Sequence, residues 1–184
     1  MITVIIDGYN FIFNSYPKIN IKAEKLQELR NKTINLLSQY YNVKKNKVVV
    51  VFDGYKTDEP SEARYTIDNI EIVYSKRGEK ADEVIMRMVS IAENALVVTN
   101  DNEIKRYAEK IYNVSCISPE EFKLLIYGII EESRISAGNT DNARNEGYEE
   151  LDEKGDRKNS GKKRGNPHRL SKKERLKLQK IRKL

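Results

Sequence analysis

Residues 2–13 read ITVIIDGYNFIF, so that an apolar run is followed directly by a carboxylate, Asp7, and then by Gly8. The segment Ile2 to Ile6 predicts a buried strand, because β-branched side chains pack well in the middle of a sheet. A second run of this kind, KVVVVFDG at residues 47–54, also ends in an aspartate, Asp53, followed by glycine. Two predicted strands therefore carry a carboxylate at the carboxyl end, where a neutral turn residue would be the ordinary choice.

Further apolar runs alternate with helical patterns along the chain. Strands are predicted for IEIVYS from Ile70, for LVVT ending at Thr99 and for VSCI at residues 114–117, with helices at 23–41, 81–95 and 101–113. A last helix begins after Ser118, which forms a capping-box pattern with Glu121. Strands that alternate with helices predict an α/β fold, with a mostly parallel sheet of about five strands covered on both faces. Residues 55–65, YKTDEPSEARY, are predicted to form a long polar loop.

The charge of the chain is concentrated at its carboxyl end. From Arg157 onward there are 13 Lys and Arg residues and one acid, Glu174, a local charge of +12 against −6 for residues 1–156. Apolar periodicity stops after residue 136, which predicts one domain at 1–136, a polar flexible linker at 137–169 and a short basic helix or disordered tail at 170–184. Such a tail is suited to holding a polyanion, and a disordered solubility tail is the alternative.

The acidic residues collect where parallel strands end. Asp7, Asp53 and Asp101 follow three predicted strands, and SKRGEKADE at 75–83 places Glu79, Asp82 and Glu83 at or before a helix start. Each of these acids alone is more often a helix cap or a turn residue. Several carboxylates at one sheet edge would repel one another unless a cation is present, and Mg²⁺ or Mn²⁺ prefers oxygen ligands. The pattern therefore predicts that Asp7 is a metal ligand.

Other catalytic classes are disfavoured by the residues that the predicted domain lacks. The single histidine, His168, lies in the tail, which argues against a Ser-His-Asp triad or a histidine-ligated zinc within the domain. Neither a G-x-G-x-x-G pattern nor a P-loop is present. Cys116 is the only cysteine, which suits a reducing cytoplasm. Carboxylates with divalent ions commonly support phosphodiester hydrolysis, and a basic tail suits a phosphate backbone.

Taken together, VIIDGYNFI, VVVVFDG, GEKADEVI and VVTNDNE resemble the YacP-like NYN-domain family of the PIN-like nuclease superfamily, from residue 2 to about residue 130. The resemblance implies a PIN-like, Rossmann-like three-layer sandwich and a metal-dependent ribonuclease. It implies that Asp7, Asp82 and Asp101 are catalytic and hold Mg²⁺ or Mn²⁺, with Glu79 and Glu83 as auxiliary ligands. It also implies auxiliary roles for Asn10, which would orient a ligand or phosphate, and for Asp53, which could instead be a turn residue.

The resulting hypothesis is an endoribonuclease that acts on single-stranded RNA or mRNA, including RNA on the ribosome. Tyr9 could stack on a base, and the loop at 55–65 could form one wall of an RNA channel. The cations that could hold RNA phosphates are Lys76, Arg77, Lys80, Lys162, Lys163, Arg164, Lys172, Lys173 and Arg175. A non-catalytic RNA-binding or ribosome-associated module with the same fold is the main alternative. A phosphatase or a phospho-receiver is a weaker one, because Gly8 and Tyr9 follow Asp7 where further acids are expected.

Overall fold

The computed structural model describes residues 2–16, 23–54 and 61–137, which fold into a six-stranded sheet flanked by helices. In chain order the elements are β1 (Thr3–Asp7), α1 (Gly8–Ser15), α2 (Ala23–Lys44), β2 (Lys47–Phe52), β3 (Ala63–Ile67), β4 (Ile70–Tyr74), α3 (Ala81–Ile91), β5 (Ala95–Val98), α4 (Asn102–Ala108), β6 (Val114–Ile117) and α5 (Pro119–Ser136).

The strand order in the sheet is β3-β4-β2-β1-β5-β6, and all neighbouring pairs are parallel except β3 with β4. The chain moves outward from β1 through β2 to β4 and then returns to place β5 on the other side of β1. The strand order therefore reverses between β1 and β5. In open α/β sheets, ligands bind beyond the carboxyl ends of the strands at such a reversal.

Both faces of the central strands are covered. Ile5, Val49 and Val97 point to one face and pack in an apolar cluster with residues of α3 and α4. Helices α1 and α2 pack against the central strands β1, β2 and β4, and ring contacts join Phe122 of α5 to Phe11 of α1 and Tyr40 of α2. Burial on both faces explains why the central strands are continuous apolar runs rather than alternating ones.

The predicted α/β fold is confirmed, with four corrections to its elements. The sheet has a sixth strand, β3, in which Ala63–Ile67 takes up the end of the segment predicted to be a polar loop. Asp68 and Asn69 both have positive φ angles and form a two-residue turn, which allows β3 to pair back onto β4. The strand was missed because it is an edge strand with mostly exposed side chains, and so it lacks the apolar run of a central strand.

The other three corrections concern helices, and the helix predicted for residues 101–113 spans only Asn102–Ala108. Helix α1 begins directly after Asp7, where no helix was predicted. Gly8 is required at its start, because a Cβ atom there would lie 2.4 Å from the Phe52 ring. The helix predicted for residues 81–95 ends at Ile91, and Ala95 instead begins β5. Ile91 is correspondingly 81% exposed rather than part of an apolar helix face.

The predicted start of α5 is confirmed, since the Ser118 amide donates to Glu121 Oε2 and the Glu121 amide donates to Ser118 Oγ. The first compact unit of the chain is Met1–Ser133. The predicted linker and basic tail lie outside the described residues. Among the helices within those residues, none is both long enough and apolar enough to cross a membrane.

Candidate active site at the carboxyl edge of the sheet

Asp7 lies at the end of β1, the strand beside the reversal of strand order, and it also caps helix α1. The residue is buried, with 8% of its surface exposed. The Asn10 amide donates to Asp7 Oδ1 at 3.2 Å, and the Thr99 hydroxyl donates to Asp7 Oδ2 at 3.1 Å. Each carboxylate oxygen is therefore held by one hydrogen bond, which fixes the orientation of the group.

Thr99 links Asp7 to a second carboxylate. It is fully buried, directly follows β5, and its Oγ1 accepts a hydrogen bond from the Asp101 amide at 3.0 Å. Asp101 in turn caps helix α4, because its Oδ1 accepts from the amides of Glu103 at 2.7 Å and Ile104 at 3.1 Å. One hydroxyl thus connects the carboxyl ends of two neighbouring parallel strands and fixes the two aspartates relative to each other.

Asp82 is the third acid of the site, and it enters from the first turn of α3. Burial raises the pKa of Asp7 to about 6, with smaller upward contributions from the charges of Asp82 and Asp101 and opposing contributions from the two hydrogen bonds. Burial also raises the pKa of Asp82, followed by the charge of Asp101, while Lys80 acts in the opposite direction. Asp7 therefore senses the negative charges of Asp82 and Asp101, Asp82 senses that of Asp101, and a cation among them would relieve this repulsion.

The donor chemistry of these residues suits a hard divalent ion, since every candidate ligand is a carboxylate oxygen. Within residues 2–16, 23–54 and 61–137, no group of three or more Asp, Glu, His or Cys side chains lies close enough together to hold one ion. Mg²⁺ usually keeps several water ligands and is held by one or two carboxylates, so full protein coordination is not required for a fit. The arrangement is consistent with a partly hydrated ion held by a subset of Asp7, Asp82 and Asp101.

Asn10 joins the same edge of the sheet through its side chain. Its Oδ1 accepts from the Asn100 amide at 2.9 Å and from Asn14 Nδ2 at 3.1 Å. Asn100 Nδ2 lies 3.2 Å from a carboxylate oxygen of Glu120, and its Oδ1 lies 3.4 Å from Lys105 Nζ. Asn10 therefore ties α1 to the segment between β5 and α4, which carries Thr99 and Asp101.

The remaining predicted acids have other contacts. Asp53 follows β2, contributes to the negative charge felt by Asp82, and its Oδ1 lies 3.5 Å from the hydroxyl of the buried Ser75. Glu79 is paired with Arg87 of α3. Glu83 is exposed, and its Oε2 accepts from the Lys80 amide at 3.3 Å. Glu79 Oε2 is buried without a hydrogen-bond partner, so the auxiliary ligand roles of Glu79 and Glu83 stay predictions.

The predicted RNA contacts fall into three groups. Lys76, Arg77 and Lys80 are exposed on the segment between β4 and α3, and Lys80 is close enough to Asp82 to lower its pKa. Tyr9 packs edge-on against Phe52 at a centroid distance of 5.1 Å. The six cations predicted between residues 162 and 175 lie outside the described residues.

Thr99 and Asn100 complete the site and were not among the predicted site residues. Thr99 belongs to the motif VVTNDNE, and a polar residue at the end of a buried apolar strand is the signal that could have identified it. Asn100 acts through its backbone amide as well as its side chain. Because a backbone donor leaves no mark in the sequence, only the fold could reveal that contact.

Comparison with known proteins points to one family. The model of the family described as YacP-like NYN domain matches residues 4–183. The protein described as uncharacterized protein YacP, from Bacillus subtilis (strain 168), is 31% identical over 103 residues, which cover 53% of this chain and 59% of that protein, less than two thirds of its length. The crystal structure of Rae1 (YacP) from Bacillus subtilis has a TM-score of 0.59 at 25% identity, covering 76% of this chain and 81% of that one. A single-substitution variant of Rae1 gives a TM-score of 0.60 at 24% identity, covering 78% and 87%.

Proposed function

Because the chain belongs to the YacP-like NYN domain family, which is PIN-like and RNA-related, we propose that it is a metal-dependent endoribonuclease that hydrolyses RNA phosphodiester bonds. The observation that carries the proposal is the buried Asp7, whose pKa is raised to about 6 beside two further aspartates at the reversal of strand order. A buried carboxylate with this pKa destabilises the fold at neutral pH, and a bound cation would remove that cost.

In this proposal Asp7, Asp82 and Asp101 hold Mg²⁺ or Mn²⁺. When bound there, the ion would supply an activated water and stabilise negative charge on the phosphate. Thr99 keeps Asp7 and Asp101 in a fixed relation through its two hydrogen bonds. Asn10, held by the Asn100 amide, orients a ligand or a substrate phosphate beside Asp7.

RNA is the partner that the family relationship supports, and the exposed cations give it binding positions. Lys76, Arg77 and Lys80 lie on the segment that leads into Asp82, so they can hold phosphates next to the scissile bond. The basic tail adds affinity for single-stranded RNA, including mRNA on the ribosome, in the cytoplasm. Phosphate contacts of this kind are independent of sequence and weaken as salt is added.

The test incubates the full chain with mixed-sequence single-stranded RNA in Mg²⁺, in Mn²⁺ or in EDTA. Discrete fragments should form only with metal, and they should be absent with Asp7→Asn and with Asp101→Asn. Asp68→Asn is the matched control, because it removes one carboxylate from an exposed turn and should leave cleavage unchanged. Metal-independent binding without cleavage would contradict the proposal and favour a non-catalytic RNA-binding module. Release of single nucleotides from one end would contradict endonuclease action.

The role of the tail has a separate test. Glutamine replacements at Lys162, Lys163, Arg164, Lys172, Lys173 and Arg175 together should weaken RNA binding and flatten its salt dependence. Each lost phosphate contact on a single strand lowers the slope of log K against log salt by about 0.7. An unchanged slope would show that the tail does not contact RNA phosphates and would favour a role in solubility.

A further inference from the structure

A row of aromatic rings extends from the neighbourhood of Asp7 across the carboxyl ends of β2 and β4. Consecutive rings contact one another in the order Phe13, Tyr9, Phe52, Tyr74 and Tyr65, and these five residues are called the aromatic row. The row starts on α1, the helix that Asp7 caps, and ends on the edge strand β3. It therefore connects the helix that Asp7 caps to the edge of the sheet.

The ring geometry combines stacked and edge-on contacts. Phe13 and Tyr9 stack with centroids 6.0 Å apart, and Phe52 and Tyr74 stack at 5.5 Å. Tyr9 meets Phe52 edge-on at 5.1 Å, and Tyr65 meets Tyr74 edge-on at 6.3 Å. Each ring is oriented by its neighbours, so the row presents ring surfaces whose positions are fixed before any ligand binds.

An arginine from α2 lies over the middle of the row. The Arg30 guanidinium is 5.3 Å from the centroid of Tyr9 and 5.5 Å from that of Phe52, and it donates a hydrogen bond to the Tyr9 hydroxyl. Its Nε is buried without a hydrogen-bond partner, and among the described residues no carboxylate forms an ion pair with it. The row thus carries a positive charge that is held by rings rather than neutralised by an acid, which suits a polyanionic ligand.

The two ends of the row are open to solvent. Phe13 is 48% exposed and Tyr65 is 56% exposed, whereas Phe52 in the middle is buried. Packing of the protein core accounts for Phe52 but gives no reason for large exposed rings at both ends. Fixed aromatic faces beside an arginine are the means by which proteins bind the bases of single-stranded nucleic acid.

We propose that the aromatic row with Arg30 is a nucleobase-binding subsite for unpaired RNA, in which bases stack on Phe13 and Tyr65 and Arg30 attracts the phosphate backbone. This subsite rests on the proposed ribonuclease function, and it defines the substrate class as single-stranded. Stacking accepts any base, because every base has a π face, but it requires bases that are not already paired in a duplex. The subsite therefore selects for strand state rather than for sequence.

The test measures binding of the full chain to a single-stranded oligoribonucleotide containing 2-aminopurine, in EDTA so that metal-dependent cleavage is absent. Phe13→Ala and Tyr65→Ala should each weaken binding by about 5- to 100-fold and reduce the quenching of 2-aminopurine fluorescence, which reports stacking. Phe13→Tyr and Tyr65→Phe retain the ring and should restore both signals. Ile67→Ala is the matched control, because Ile67 is exposed on the same strand as Tyr65 but carries no ring.

The role of Arg30 is tested by the salt dependence of RNA binding. Arg30→Gln should lower the slope of log K against log salt by about 0.7, whereas removal of a ring should lower the affinity and leave the slope unchanged. Circular dichroism of each variant establishes that it is folded. The rescue by Tyr65→Phe distinguishes loss of the ring from any general effect of substitution on β3.

Three results would overturn the subsite. The first is no RNA binding by the unsubstituted protein, and the second is unchanged affinity and quenching in both alanine variants. The third is that the alanine variants lose as much affinity for an RNA duplex as for the single strand. Cleavage is assayed separately in Mg²⁺ and Mn²⁺. Ring-dependent binding without any cleavage would support the subsite and refute the ribonuclease. Cleavage that is indifferent to Phe13 and Tyr65 would support the ribonuclease and refute the subsite.

Discussion

Replacement of Asp7 by asparagine should stabilise the metal-free protein at neutral pH, although it should abolish cleavage. Burial raises the pKa of Asp7 from 3.8 to about 6, so the folded protein holds a proton that the unfolded chain releases. A shift of that size corresponds to at most about 3 kcal/mol of stability lost when the group ionises. Asparagine carries no charge but cannot reproduce both accepted hydrogen bonds, so we expect a net gain of about 1–2 kcal/mol.

The stability gained by Asp7→Asn should depend on pH. Below pH 3.8 the carboxyl group is protonated in both states, and Asp7→Asn should bring no electrostatic gain. Between pH 3.8 and about 6 the native state binds more protons than the unfolded state, so the unsubstituted protein loses stability as the pH rises. The advantage of asparagine should grow across this window and stay constant above it.

Urea unfolding in EDTA at several pH values between 4 and 8 measures the difference, with Asp68→Asn as the matched control. In thermal unfolding, each kcal/mol should shift Tm by about 2–4 °C for a chain of this length. Added Mg²⁺ or Mn²⁺ should raise Tm of the unsubstituted protein and have little effect on Asp7→Asn. A variant that is no more stable than the unsubstituted protein at pH 7.5, or a gain of the same size at pH 4 and pH 7.5, would refute the reasoning.

Three further substitutions test other contacts. Thr99→Val removes the hydroxyl that joins Asp7 to the Asp101 amide, so metal-dependent cleavage should fall about 10- to 100-fold. Thr99→Ser keeps the hydroxyl and should retain the cleavage activity. Equal cleavage rates for the two variants would refute the bridging role of Thr99. Gly8→Ala should destabilise the fold by about 1–3 kcal/mol in urea unfolding, because the new methyl group meets the Phe52 ring, and an unchanged midpoint would count against that clash. Arg87→Met leaves the Glu79 carboxylate, whose side chain is 9% exposed, without its cation and also removes the ion pair with Glu62, at a cost of about 1–2 kcal/mol. Adding Glu79→Gln should recover the part of this loss that is due to Glu79, and a double variant no more stable than Arg87→Met would contradict the pairing.

The central part of the fold could be predicted from the sequence because its strands are buried on both faces. Continuous apolar runs identified β1, β2 and β5, and the capping pattern identified the start of α5. Strand β3 was not predicted, because this edge strand has no run of buried apolar side chains. Helix α1 was not predicted, because it follows β1 without a connecting loop and Asp7 both ends the strand and caps the helix.

The candidate site was predictable in its acids but not in their partners. Strand ends and the helix start placed Asp7, Asp82 and Asp101 at one edge, and the raised pKa values of Asp7 and Asp82, to which the charge of Asp101 contributes, agree with that placement. The ion pair of Glu79 with Arg87 could not be predicted from the sequence, because it depends on how α3 lies against the preceding segment. The position of Arg30 among the aromatic rings was equally hidden, since it comes from a helix far from those rings in the chain.

The hydrogen bond between Thr99 and Asp7 spans 92 residues of sequence, and it determines when during synthesis the site comes into existence. A nascent chain that has emerged only through α3 contains Asp7 and Asp82 but has neither Thr99 nor Asp101. The site is completed only when β5 inserts beside β1 and brings the last acid to the sheet edge. In the proposed ribonuclease, the three acids can therefore come together only after β5 and the start of α4 have been synthesised.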